Sequence, residues 1–296
     1  MKKALIVQGG WDGHEPQLTS KRFAGLLEKH GYECVISDTL DALADLDSLL
    51  KLDLIVSCWT MGEICHDYVV NVCKAVGAAA FMICRGHESW HPDPAFYYQH
   101  GGGPMMDMWP YYLTAMINLL GGVSSVMGVT KASFPTRTIT SQPKCGEVVK
   151  VEVPTYVTGI LNFENGATGT IFTTFDVCYP GQARLEIYGT KGTLFAPDPN
   201  TFGGPVRLLR QEGGEVREVP LCFDYAENSR ALGLADMAKA LRTGRDPRES
   251  WKQTLHVLEI MQSFEKSSRS GAAVAIESKY TRGEPMSDEG VRGILN

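Results

Sequence analysis

This chain contains no block of lysines or arginines, and its formal net charge is -6 at pH 7. That argues against nucleic acid as its main partner. Long apolar runs are also missing. The opening stretch stops at Val7 and meets Gln8, Gly9, Gly10, Trp11 and Asp12, too early for a signal-peptide core, and no later run reaches membrane-spanning length. The expectation is a cytoplasmic protein with no membrane partner. Eight cysteines are present without a CxxC spacing among them. Several lie among Val, Ile and Met, where a reduced thiol packs as a small hydrophobe, so disulfides are not expected. A nucleophilic Cys58 would need a partner base that the sequence does not identify. No metal site is assigned.

What is present suits an ordinary folded protein. The chain has 296 residues, 44% apolar and 21% charged, enough for a good core and two units. Strands are expected over 3–8, 34–37 and 52–58, alternating with helices over 16–30, 40–50 and 61–76. That order predicts a thin α/β layer on a parallel sheet. The loop after the first strand, GGWDGHE at 9–15, stands where doubly wound folds bind ligands, but it is not GxGxxG. Asp38 occupies the place of a ribose-binding acid, and the missing glycine spacing counts against that role. His14 and Glu15 could contribute to a metal or sugar site, or cap and pack the loop.

After Gly77 the pattern changes. Strands are expected over 78–84, 123–134, 147–153, 156–163, 168–177, 184–189, 193–196, 206–210 and 216–220. Asn165-Gly166 between two alternating runs predicts a hairpin. The expected architecture is a large, mostly antiparallel sheet covered by helices over 111–120, 226–241 and 251–268. Residues 287–296 read as a polar tail.

The segment from Gly86 to Tyr112, GHESWHPDPAFYYQHGGGPMMDMWPYY, crowds acids, imidazoles, phenols and flexible backbone together. His87, Glu88, His91, Asp93 and His100 could exchange protons near neutrality. Gly101 to Gly103 followed by Pro104 turn the chain into a helix expected to begin near Asp107. Four residues separate Asp107 from Tyr111, so on one helix they would share a face and reach the same small polar molecule. The alternative is a capped helix with a surface acid and a packed tyrosine.

Two resemblances follow from longer motifs. Residues 1–76, through VQGGWDGHE, ISDTLDALAD and LDLIVSCWTMGEI, resemble the start of the ThuA-like (trehalose utilisation) family, which implies a partial flavodoxin-like layer and sugar metabolism. Residues 77–286, through GHESWHPDPAFYY, GGGPMMDMWPYYLTAMINLLG, LNFENGATGTI, RLEIYGTKGTL and YAENSRALGLADMAKALRTG, resemble the C-terminal domain of the Gfo/Idh/MocA oxidoreductases. That second resemblance implies a small sugar or polyol substrate, NAD or NADP as cofactor, and a sheet domain that lines the substrate pocket and makes a homo-oligomer contact. It carries catalytic roles to Asp107, Tyr111 and His91, with tyrosine at 111 where the family usually has histidine. His87 and Trp109 would line the pocket, and Asn228 and Arg230 would reach it or cap their helix. Trp109 stands where the family usually has glycine, so it would fill pocket space or strain the turn.

The Glu-Lys-Pro motif of those oxidoreductases is absent. The two resemblances together imply a fusion near Val76 without the usual nucleotide domain, in which autonomous NAD(P)-dependent activity is impaired or lost. The alternatives are a non-catalytic carbohydrate-binding or assembly module and a ThuA-like sugar-modifying enzyme.

Overall fold

The computed structural model describes residues 2–8, 16–38, 42, 48, 51–57, 74–178, 185–211, 214–219, 225, 227 and 229–283. The loop holding His14 and Glu15, Cys58, most of the expected helix over 40–50, residues 61–73 of the helix expected over 61–76, Asn228 and the expected tail fall outside them; Ala75 and Val76, expected at that helix's end, lie in a strand. Two compact units are formed: Met1–Met61 with Tyr225–Ser250 and Gly283–Asn296, and Gly62–Asp224 with Trp251–Arg282.

The first unit begins with strand β1 (Lys2–Val7), helix α1 (Pro16–Lys29), strand β2 (Tyr32–Ser37) and strand β3 (Leu54–Ser57). The three strands are parallel in the order β2-β1-β3. Ala4 and Ile6 of β1 are fully buried with Phe23 and Leu27 of α1. The expected parallel layer is therefore present. At the end of β2, the Gln8 N–H donates to the Ser37 carbonyl at 2.8 Å, and exposed Asp38 follows.

The second unit opens with strand β4 (Ala75–Ile83), which begins three residues before the sequence pattern expects a strand. A single turn of 3-10 helix (Ala95–Tyr98) and the glycine run lead to helices α2 (Pro104–Asp107) and α3 (Trp109–Leu120). The single helix expected near Asp107 is thus two. Met108, at φ -109°, separates them, and Pro110 has no N–H with which to carry a helical bond across the break.

Strands β5 (Val123–Lys131), β6 (Thr136–Thr138), β7 (Val148–Lys150), β8 (Tyr156–Phe163), β9 (Thr168–Thr174), β10 (Leu185–Gly189), β11 (Gly192–Ala196), β12 (Val206–Arg210) and β13 (Val216–Val219) follow. β6 and β7 pair only with each other, so the strand expected at 147–153 belongs to a separate ribbon. Asn165-Gly166 makes the expected reversal: Gly166 sits at φ +88° and the Asn165 carboxamide accepts the Ala167 N–H at 2.9 Å.

Helix α4 (Leu232–Thr243) returns to the first unit, where Leu234 and Ala238 complete the small core. The boundary expected at residue 76, with 77–286 as one piece, is corrected here: α4 has an apolar stripe that covers the parallel strands. The expected start of that helix at 226 is also too early, because Ala231 lies at φ +87° and cannot continue a right-handed helix. Asp236 is held by Arg248, whose backbone N–H donates to its carboxylate at 2.8 Å, and by the Arg245 guanidinium at 3.2 Å. These two cations keep its carboxyl below the usual range against the effect of burial.

Helix α5 (Trp251–Ser270) and strand β14 (Val274–Ala275) close the second unit. The nine-stranded sheet runs β13-β12-β11-β10-β4-β9-β8-β5-β14 and is antiparallel except where β4 meets β9. Its inner face, with Val126, Leu161, Ile171, Ala80, Ile187 and Leu194, packs under α3 and α5. Phe264 of α5 presses onto Gly128 and Gly159, leaving no space for a Cβ at either position.

Candidate functional site

The segment between β4 and α2 folds back so that its polar groups meet the end of α2. Gly102 and Gly103 make this possible. Gly103 sits at φ +87° and donates its N–H to the Tyr97 carbonyl at 2.7 Å. A Cβ on Gly102 would stand 2.5 Å from the Phe96 carbonyl oxygen, so the close approach requires glycine there. The Asp107 N–H then donates to the Gly103 carbonyl at 3.0 Å, which places its side chain beside the loop.

Nε2 of His87 lies 3.6 Å from Oδ2 of Asp107. The imidazole is buried, stacked on Tyr97 with ring centres 3.8 Å apart and met edge-on by Phe175 at 4.6 Å. Burial, then the nearby His91 and Arg137, lowers its pKa to about 4. Burial raises the Asp107 carboxyl to about 6. At pH 7 the two are therefore a neutral imidazole beside a carboxylate, and the ion-pair distance does not make them an ion pair. Neither His87 Nδ1 nor Asp107 Oδ2 has a hydrogen-bond partner in the described chain. The Asp107 side chain is 27% exposed against 10% for His87, so a ligand reaches Asp107 first.

The Tyr97 phenol is raised to about 12 by burial and by the charges of Asp107, Cys84 and Tyr111. It can donate a hydrogen bond at neutral pH but cannot serve as a base. Tyr97 carries no role in the sequence reading, although it lies inside the quoted segment. Phe175 reaches the site from the end of β9, far along the chain, and no local sequence signal marks it.

The other expected residues divide by place. Tyr111 is half-buried at the start of α3, and it and Asp107 both act on the Tyr97 phenol although they lie in different helices. His91 is buried, its Nδ1 accepting the Asp93 N–H at 3.1 Å and its ring edge-on to Tyr97 at 5.4 Å. Asp93 meets Lys144 at 2.8 Å, and His100 is exposed. Trp109 has no exposed surface, and its indole nitrogen has no partner. It packs 5.5 Å from Tyr112 in the core at ordinary helical backbone, away from any surface that a substrate reaches. Arg230 is half-buried in the first unit. Among the described residues no group of three or more His, Cys, Asp or Glu could hold a metal ion, and no helix is long and apolar enough to cross a membrane.

A carboxylate poised near pH 6 beside a neutral imidazole can accept a proton from a bound hydroxyl near neutrality. In the first unit the parallel strands run in the order β2-β1-β3, and ligands of open parallel sheets bind beyond the carboxyl ends of such strands. Exposed Asp38 is the acid at that end.

Residues 74–195 match the family model of the GFO/IDH/MocA C-terminal domain. A D-xylose 1-dehydrogenase (NADP(+)) from Haloferax volcanii is 26% identical over 198 residues, covering 67% of this chain and 54% of that protein. The match thus spans about half the length of that relative. Among solved structures, a levoglucosan dehydrogenase in complex with NADH and L-sorbose superposes with a TM-score of 0.68 at 14% identity, covering 94% of this chain and 99% of that one. An NAD binding oxidoreductase from Klebsiella pneumoniae gives 0.69 at 14% identity, with 93% and 99% covered. An aldose-aldose oxidoreductase from Caulobacter crescentus complexed with glycerol gives 0.60 at 15%, with 93% and 100% covered. At these identities the structural likeness speaks for the fold alone.

Proposed function

We propose that the second unit binds a small sugar or polyol for NAD(P)-linked oxidation, with Asp107 receiving the hydroxyl proton. The observation that carries this reading is the Asp107–His87 pair: a reachable carboxylate, raised to about 6, beside a buried imidazole that stays neutral. Tyr97 supplies a phenol near the same carboxylate, and Tyr111 a second phenol near Tyr97, that can orient hydroxyls. A nicotinamide nucleotide, when bound, supplies the hydride acceptor. The match of residues 74–195 to an oxidoreductase C-terminal domain supports the substrate class, as does the sugar-dehydrogenase relative.

Residues 1–76 carry no GxGxxG, so turnover by this chain alone is expected to be weak or absent while sugar binding persists. The test is calorimetric titration of the folded chain with sugars and polyols, followed by NADH and NADPH. Saturable sugar binding that Asp107→Asn weakens about tenfold or more is the expected result; a loss of this size corresponds to one charge-assisted hydrogen bond. Absence of binding across pentoses, hexoses and cyclic polyols would overturn the reading.

The nine-stranded sheet offers a surface for the homo-oligomer expected from the sequence. Met127 and Val129 of β5 and Ile160 of β8 stand 48%, 58% and 41% exposed on the face away from α5, beside the Tyr156–Phe172 ring pair. A second copy of the chain is the proposed occupant.

A further inference from the structure

Behind His87 lies a buried ionic group that the proposed chemistry leaves unused. Nε of Arg137 is 2.6 Å from Oε1 of Glu88, and its Nη2 is 3.5 Å from Oδ1 of Asp176; their side chains are only 12%, 12% and 3% exposed. The same Nη2 donates to the carbonyl of Phe175. Asp176 also accepts from the Thr155 hydroxyl at 2.7 Å. Two carboxylates and one guanidinium are thus held out of water, an arrangement that stabilises poorly compared with an apolar core and is costly to break.

Its placement gives it a use. Glu88 follows His87 directly, and Phe175, whose carbonyl Arg137 also holds, puts its ring edge against the imidazole. Tyr98, next to the stacking Tyr97, lies under the guanidinium at 5.3 Å and accepts the His87 backbone N–H at 3.4 Å. Gly86 has no room for a side chain: a Cβ would stand 2.3 Å from Glu88 Oε2, 2.5 Å from Tyr98 Oη and 2.8 Å from Arg137 Nη2.

We propose that Arg137 is a positioning residue for the candidate site: it ties the Glu88 side of the loop to the Phe175–Asp176 end of β9 and so fixes the His87 ring between Tyr97, Phe175 and Asp107. The inference rests on the reading of His87 and Asp107 as the sugar site. Arg137 touches neither the ligand nor the reacting atoms and acts through the imidazole. A planar fork reaches two carboxylates and a carbonyl at once, which a lysine ammonium on its flexible stem does not reproduce.

The test is nuclear magnetic resonance of the histidine ring protons in the full chain, with His87 assigned by His87→Gln. The wild-type His87 protons are expected to be displaced by the Tyr97 ring beneath them and to stay in the neutral form through pH 5. In Arg137→Gln the ring-current displacement is lost, and the His87 midpoint rises by about one unit or more as a cation is removed and two carboxylates remain. Arg137→Lys restores the midpoint in part but not the displacement.

A variant that melts earlier yet keeps the wild-type His87 signals overturns the proposal and leaves Arg137 a purely structural residue. Should Arg137→Gln not fold, Glu88→Gln cuts one arm of the tie and leaves a balanced Arg137–Asp176 pair. It too is expected to release the ring, and unchanged His87 signals in it overturn the proposal equally. Sugar titration of the wild type, followed on the same protons, separates the two ideas. If no sugar moves the His87 signals while Arg137→Gln does, the site reading fails and the positioning role stands.

Discussion

Asp107 meets His87 from the end of a helix that stops at Asp107 itself, so a carboxylate and a neutral imidazole stand 3.6 Å apart with no hydrogen bond between them. The sign of the Asp107 shift makes a thermodynamic prediction. Its carboxyl titrates at about 6 in the fold against an ordinary 3.8, so the native state holds the proton more tightly than the unfolded chain. Stability from this group is fully present below pH 3.8 and is lost as pH rises from there through 6. Asp107→Asn removes the buried charge and should stabilise the chain by about 1–3 kcal/mol at pH 7, with the difference closing near pH 4. Urea unfolding of both proteins at the two pH values checks this. A variant less stable than wild type at pH 7 would show that the carboxylate makes compensating contacts.

The local parts of this site were legible and its long-range parts were not. The glycine run followed by proline correctly marked a sharp entry into a helix. Spacing alone could not show that Pro110 would split that helix and turn the expected Asp107–Tyr111 face into two segments. His87 was named for its chemistry, while its stacking on Tyr97 depends on how tightly Gly102 and Gly103 wrap the Phe96 and Tyr97 carbonyls. Arg137 and Phe175 arrive through sheet pairing, which alternation along one strand does not disclose. Trp109, expected to fill pocket space or strain the turn, has no exposed surface and packs against Tyr112 in the core.

Burial of His256 predicts an acid limit on the second unit. Its Nε2 accepts the Val123 N–H at 2.9 Å while Nδ1 faces the Ser278 hydroxyl at 2.9 Å, an arrangement that needs the neutral ring. Burial lowers its pKa below the ordinary 6.5, against the opposing pull of Glu259 and Glu164, while Lys279 assists. A depressed histidine contributes stability that is present above the unfolded pKa and lost as pH falls from 6.5 toward the folded value. The gap in thermal midpoint between the wild type and His256→Gln should narrow as pH falls from 7 to 5. In His256→Gln the midpoint should be lower at pH 7 and the decline from this group absent.

Sheet packing under α5 depends on two facing glycines. A Cβ on Gly159 would stand 2.3 Å from the Met127 carbonyl oxygen and 2.8 Å from the Phe264 ring. Gly159→Ala should therefore destabilise the chain by roughly 1–3 kcal/mol. Combining it with Phe264→Leu should cost less than the sum of the two single changes, because the smaller side chain relieves part of the clash. Chemical denaturation of the four proteins measures that coupling, and strict additivity would show that the backbone contact alone sets the cost.

The open sheet face predicts the state of assembly. Val129 and Ile160 lie on the side opposite Phe264, and leaving both in water together with Met127 and the neighbouring rings exposes a contiguous apolar surface of the kind usually covered by a partner. A second copy brings the same surface, and a two-fold axis lets each patch cover the other. Sedimentation equilibrium at micromolar concentration should accordingly give a mass near twice 32.5 kDa. Val129→Lys with Ile160→Lys should return the chain to a monomer, since each lysine would have to be desolvated against its own copy. Neither substitution touches the core beneath α5, so the circular dichroism of the double variant should match the wild type. A wild-type chain that sediments as a monomer across that range would remove the second copy as the occupant of this face.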